Sequence, residues 1–342
     1  MHTGDRIFLR AIPLAITLYE VLFGFYTILH HPSDCVPGRF LVSLGSITFA
    51  IYSAVAVALR QGERHINHWP LCIWPICAFI GSLAAILWGI ILLLHPSFIN
   101  VVSGHMVFGA GLIAICVSTV SLISLHLTDI SWNEIHLPIG QCNYHSWSRN
   151  VVYILASIPI LATISGVIDS LISLVSSSEA EQIGGHALSA QTLVCLSFVL
   201  IVWVLGHQMN NTFTGKYKWR YGIYITVNGL INIIWGLFTA LTFPSAFRTC
   251  GWGMVALGLV CISVSGKMHR INGYWHDKSE LAIAAHYFPL VAAFTGFLLS
   301  DILFSCGLHD ISYVWAAYAV GGLSAVCACA FALVAVPSPL AE

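Results

Sequence analysis

Charge is what this chain has least of. Only 8% of its 342 residues are Asp, Glu, Lys or Arg, and 13 basic side chains nearly balance 14 acidic ones. With a pI near 7.0 and no basic face to neutralise phosphates, the composition argues against a nucleic-acid partner. The G-x-x-x-x-G-K-[ST] phosphate loop, the H-E-x-x-H pair and paired catalytic carboxylates are also missing. No enzymatic activity and no cofactor are therefore expected. No His pair at i, i+4 spacing falls in the apolar runs, which argues against a metal site. Strand-like alternation, low-complexity tracts and flexible linkers are absent too.

The 11 cysteines supply no framework either. Cys72 with Cys77, and Cys327 with Cys329, lack structural-zinc spacing, and most others sit in apolar runs as small buried hydrophobes. Cys35, Cys250 and Cys306 fall in or near turns, so a disulfide among them is conceivable from position alone.

What the chain has is apolar surface. Hydrophobic residues make up 58% of it and its mean hydropathy is +0.86, more than a water-soluble core could hide. The solvent must be lipid, where every backbone polar group has to be paired within its segment or in a closed barrel. Repeated runs of helix-spanning length select helices. The spans read approximately as 11–29, 39–59, 73–94, 105–125, 151–175, 186–206, 222–242, 251–268, 287–305 and 314–336. Arg6 and Arg10 precede the first run as in a signal peptide, but its length, Glu20 and Gly24 assign it as the first span.

The stretch Trp88 to Ser121 can be laid over four others. Each has an apolar helix carrying a glycine, a short turn and a second apolar helix, with first-helix glycines at Gly24, Gly89, Gly166, Gly236 and Gly296. In the second helices, Gly38 with Gly45, Gly104 with Gly111, and Gly251 with Gly258 recur seven residues apart on one face, with Gly321 and Thr192 in the later slot of the remaining pairs. Lipid gives helices no hydrophobic reason to associate, and small residues let backbones approach. The expected fold is thus all-α, a single polytopic transmembrane domain (1–342) of about ten helices. It is built from five two-helix hairpin repeats in the same orientation, about 11–60, 73–126, 151–207, 222–269 and 287–336. A ring of pairs and an irregular bundle both satisfy this pattern.

Of the 13 Lys and Arg, all but Arg39 and Arg248 lie before the first span or between pairs. The positive-inside rule then puts the termini and inter-pair loops in the cytoplasm. The connection 126–150 is too short for a core of its own and could hold at most an interfacial helix or docking site.

Polar residues inside the spans are the functional candidates. Glu20 lies mid-span, four residues before Gly24, where an ionised carboxylate is expensive and normally faces the bundle interior or water. The same slot in the other pairs holds Ala85, Ala162, Asn232 and Ala292. If rotation relates the pairs, these five share one depth, which would let Glu20 hydrogen-bond Asn232 across the interior with Asn228 extending the strip. Asp169 and Asp301 lie nearer the outer ends, where water reaches them. His105 and His186 follow glycines at the starts of the fourth and sixth helices, with Arg39 and Trp252 in matching positions. There the positive end of the helix dipole opposes a charged ring, which makes them candidates for outward pH sensing. The ordinary reading of each is structural: glue between helices for Glu20, interfacial residues for the histidines.

The segments VVSGHMVFGAGLIAICVSTV (101–120) and GGHALSAQTLVCLSFVLIVWVLGHQMNNTF (184–213), with their Gly-His helix openings and the NTF at 211–213, resemble the YhiM family of bacterial inner-membrane proteins. The resemblance implies a multi-pass protein of the cytoplasmic membrane linked to survival at low pH. It implies no substrate and no catalytic residue. Together these observations lead to an expectation of proton-linked transport or a gated path for an ion or small solute. The alternative is a membrane scaffold recruiting a partner through loops 126–150 and 207–221.

Overall fold

The computed structural model describes residues 3–32, 35–60, 69–136, 144–208, 218–243, 245–271, 280–307 and 311–335. They form ten helices: α1 (Thr3–His30), α2 (Val36–Arg60), α3 (Trp69–Leu93), α4 (Phe98–His136), α5 (Tyr144–Leu174), α6 (Glu179–Gln208), α7 (Lys218–Thr242), α8 (Ser245–Ile271), α9 (Glu280–Cys306) and α10 (Ile311–Ala335). All ten carry a segment long and apolar enough to cross a bilayer, and among the described residues there is no strand. This is a polytopic helical membrane protein.

The helices run past the spans read from hydropathy, because hydropathy ends at the bilayer while helical pairing does not. The largest difference is α4, whose span read from the sequence ends at 125 although the helix continues to His136. At 1.5 Å per residue that continuation projects about 16 Å.

Burial separates the helices into two layers. Within an 18-residue apolar stretch of each helix, 67% to 89% of residues are buried in the even-numbered helices, against 22% to 33% in the odd-numbered ones. The packing order explains this. α2 packs on α4, α4 on α6, α6 on α8, α8 on α10, and α10 back on α2, closing an inner ring. Each outer helix lies on the inner helix that follows it and on the inner helix of the preceding pair, so α3 covers α4 and α2, and α1 covers α2 and α10. The outer faces carry exposed Leu22, Ile91, Leu161, Ile234 and Phe294, suited to acyl chains.

The ring interior is packed, not open. Leu44, Ile113, Leu188, Leu257 and Leu323, one from each inner helix, belong to one continuous buried apolar cluster. A cavity of about 20 Å³, room for about one water, lies where the inner helices begin, lined by Val36, Met106, Ala187, Cys250 and Trp315 among others.

Small residues set the spacing within pairs. A Cβ on Gly24 would fall 2.8 Å from the Gly38 carbonyl oxygen, and one on Gly236 would fall 2.6 Å from that of Gly251. Main chain therefore lies directly against main chain at both crossings, as glycine pairing in lipid allows.

Candidate functional site

Glu20 is fully buried on the side of α1 that faces α2. Thr48 of α2 lies 2.8 Å from Glu20 Oε2, and Thr17, one turn before Glu20, lies 3.0 Å from the Thr48 hydroxyl and 2.7 Å from the Pro13 carbonyl oxygen. Glu20 Oε1 has no hydrogen-bond partner.

The hydroxyl chain has two consistent polarities, because each hydroxyl owns a single hydrogen. With an ionised carboxyl, Thr17 donates to Thr48 and Thr48 donates to Glu20. With a protonated carboxyl, Glu20 donates to Thr48, Thr48 to Thr17, and Thr17 to the Pro13 carbonyl. No side chain has to move between these states. Neither threonine stands out in the sequence, since hydroxyl residues are scattered through every span.

The expected bond between Glu20 and Asn232 does not form. Asn232, also fully buried, donates from Nδ2 to the Ala190 carbonyl of α6 at 3.1 Å, and its Oδ1 has no partner. Asn228 donates to Ser197 Oγ at 3.4 Å, and Ser197 lies 3.8 Å from Cys261 Sγ of α8. The physical reason is the ring itself: α1 sits between α2 and α10, α7 between α6 and α8, and packed core separates them. All five residues of the slot are nonetheless buried, Ala85, Ala162 and Ala292 along with the two polar ones.

His105 is brought together with Asp169. Its Nδ1 donates to the Val101 carbonyl at 2.9 Å, and its Nε2 lies 2.9 Å from Ser173 Oγ. Asp169 Oδ2 stands 3.9 Å from the same Nε2, buried and without a hydrogen bond, while a third of the Asp169 side chain is exposed. Gly184 of α6 lies flat against the imidazole, where a Cβ would strike it. Ser173 is a member of this cluster that no sequence signal marked.

The neighbouring positions behave alike. Arg39 donates from α2 to Asn100 Oδ1 (2.7 Å) and Ser103 Oγ (3.0 Å) of α4. His186 accepts at Nδ1 from Trp235 Nε1 of α7 at 3.2 Å, with Phe247 edge-on to its ring. The residue after the helix-opening glycine therefore reaches into the next pair in all three cases. Asp301 is exposed on α9, apart from these groups. Cys35, Cys250 and Cys306 are free thiols, and among the described residues no three His, Cys, Asp or Glu side chains converge on one point. The loop segments 137–143 and 209–217 lie outside the described residues.

A closed ring of helices sheathed by a second layer, with one carboxyl buried in its helix packing, defines a polytopic membrane protein. The chain belongs to the family described as Protein of unknown function (DUF2776), whose profile matches residues 1–338. It is 26% identical over 333 residues to Inner membrane protein YhiM of Escherichia coli (strain K12), an alignment covering 96% of this chain and 95% of that relative. No solved structure matches.

Proposed function

We propose that this is a multi-pass protein of the bacterial inner membrane that supports survival at low pH by proton-linked transport, with Glu20 as its membrane-embedded proton-binding group. The observation that carries the reading is the chain from Pro13 through Thr17 and Thr48 to Glu20, which accommodates the carboxyl in either protonation state. A carboxyl kept only as glue would be served by one fixed set of partners, yet Glu20 Oε1 is left bare at 0% exposure. The inner-membrane setting is supported by the name of the Escherichia coli relative, and the acid role by the family resemblance. The lysine and arginine distribution favours cytoplasmic termini. That orientation turns the His105–Asp169 cluster outward, where external protons can reach it, with His186 as a second sensor. Asn232 and Asn228 form a separate uncharged site. The reading assigns no enzymatic activity, no cofactor and no metal.

The test is purified full-length protein in liposomes given a pH step. Proton entry above that of empty vesicles is expected, together with a loss of about tenfold in Glu20→Gln. Equal rates with and without protein sink the reading. Dicyclohexylcarbodiimide, which attacks protonated carboxyls in apolar surroundings, should label the parent protein at Glu20 and leave that position of Glu20→Gln unlabelled.

One observation favours a second reading, a scaffold that recruits a partner: the continuation of α4 to His136 through the polar run HLTDISWNEIH, past the span read from the sequence. Exchanging 128–148 for a neutral linker should abolish acid survival if that reading holds and leave proton entry intact.

A further inference from the structure

The five pairs are not joined equally. Each junction consists of contact between neighbouring inner helices plus the contact of one outer helix with the preceding inner helix. Those joining the first pair to the second, the second to the third and the fourth to the fifth are extensive. Those joining the third to the fourth (α6 with α8 and α7) and the fifth to the first (α10 with α2 and α1) are markedly thinner. The ring thus divides into a body of three pairs, α1–α6, and a body of two, α7–α10.

Two of the buried groups left unsatisfied, Glu20 and Asn232, belong to the outer helices of the thin junctions, whereas Gln191 Oε1 and Asp169 Oδ2 are bare at extensive ones. Glu20 with its bare Oε1 lies on α1, the outer helix that closes the thin junction with α10. Asn232 with its bare Oδ1 lies at the junction of α7 and α6, and Asn228 reaches across it to Ser197. The small cavity lies between the same two bodies, Val36, Met106 and Ala187 on one side and Thr249, Cys250 and Trp315 on the other. By contrast, the thick junction of α2 with α4 holds the Arg39 bonds to Asn100 and Ser103. In lipid, helices stay together through packing and hydrogen bonds alone. Parting them sacrifices least where packing is thin, and hydrating an unpaired buried oxygen recovers part of that loss.

We propose that α1–α6 and α7–α10 are two rigid bodies that rock against each other along these two thin seams, and that the cleft between them is the route by which the transported species reaches Glu20 and Asn232. The route rests on the transport reading above; the motion does not. Bonds that cross the seam at the turn end, Trp235 to His186 and Cys250 Sγ to the Ile183 carbonyl at 3.5 Å, are those the opening would break.

Two measurements on the full chain in lipid test this. Spin labels on Ser97→Cys and Ser305→Cys, exposed positions on different bodies, report the distance between bodies; labels on Ser97→Cys and Ser177→Cys report within one. Cys72, Cys77, Cys142 and Cys306 are replaced by serine. The first distance is expected to shift by about 3 Å or more between about pH 7.5 and about pH 5, and the second to stay. Separately, Ile183→Cys opposite native Cys250 is oxidised with copper phenanthroline to lock a thin seam. Thr249→Cys with Ser312→Cys, in a Cys250→Ser background, locks the thick α8–α10 junction as control, since Thr249 Oγ1 lies 2.7 Å from the Ser312 carbonyl. Locking the thin seam should lower proton entry about tenfold, reversed by reductant, while the control stays within about twofold. Distances that do not move in either labelled pair overturn the two bodies. Moving distances with full proton entry through the locked thin seam overturn the cleft as route. Moving distances in a protein that carries no protons in any form would sustain the motion and remove the transport reading.

Discussion

Replacing Gly236 with alanine tests the main-chain contact between α7 and α8. The added Cβ would sit 2.6 Å from the Gly251 carbonyl oxygen and 2.7 Å from the Val255 nitrogen, both main-chain atoms of α8. No rotamer change relieves such a contact, so α7 has to withdraw by roughly 0.7 Å to regain ordinary separation. Overpacking of this kind costs about 1–3 kcal/mol. The better helix propensity of alanine offsets little of it, since the spans remain helical when they separate within lipid. A destabilisation of about 1–3 kcal/mol is therefore expected, read from reversible unfolding in mixed dodecylmaltoside and SDS micelles. Gly253→Ala is the matched control on α8, with nothing within 4 Å of its new Cβ, and should stay within about 0.5 kcal/mol. Because Gly236 and Gly251 face each other, adding Gly251→Ala to Gly236→Ala should cost less than it does alone, the helices having already moved apart. If Gly236→Ala proves as stable as the parent, or Gly253→Ala loses as much, backbone contact is not what sets this crossing.

Three further outcomes follow from the same coordinates. Thr48→Val leaves Glu20 Oε2 without its hydroxyl and should lower stability by about 1–2 kcal/mol and slow proton entry, whereas Thr48→Ser should restore both; equal behaviour of the two variants would refute the hydroxyl chain. Gly184→Ala drives a methyl into the His105 ring and should cost about 1–3 kcal/mol, a loss largely relieved in a His105→Ala background; an additive double variant would show that the ring is not what the methyl meets. Ser82→Ala and Ser118→Ala remove the two ends of one buried 3.2 Å hydrogen bond, so the double variant should be no less stable than the worse single one by more than about 0.5 kcal/mol, again by unfolding in micelles.

The slot four residues before each first-helix glycine was legible because burying a carboxylate in lipid is costly, and Glu20 is conspicuous in a chain with so little charge. Its partner was not. Thr48 is one of many hydroxyl residues that can satisfy themselves on the preceding turn of their own helix, as Thr27, Thr163 and Thr239 do, so nothing in its spacing marks it as a partner in another span. The pairing with Asn232 failed for a related reason. Shared depth places two residues on one level, but proximity depends on the angular position of their helices around the ring. His105 was marked by the glycine before it, while Ser173 and the orientation of Asp169 came only from how α5 lies against α4.

Hydropathy by itself determined that the chain crosses a bilayer in ten helices, because water and hydrocarbon differ in the one property that composition records. It also marked Glu20 as the residue least at home there. Tertiary structure alone decided which helices are inner and which outer, that the even-numbered ones close into a ring, and that two of its five junctions are thin. In lipid, the faces that meet protein and the faces that meet acyl chains are equally apolar. Only the shape of small residues against backbone distinguishes them, and that is a property of pairs of helices in contact, absent from any one segment read alone.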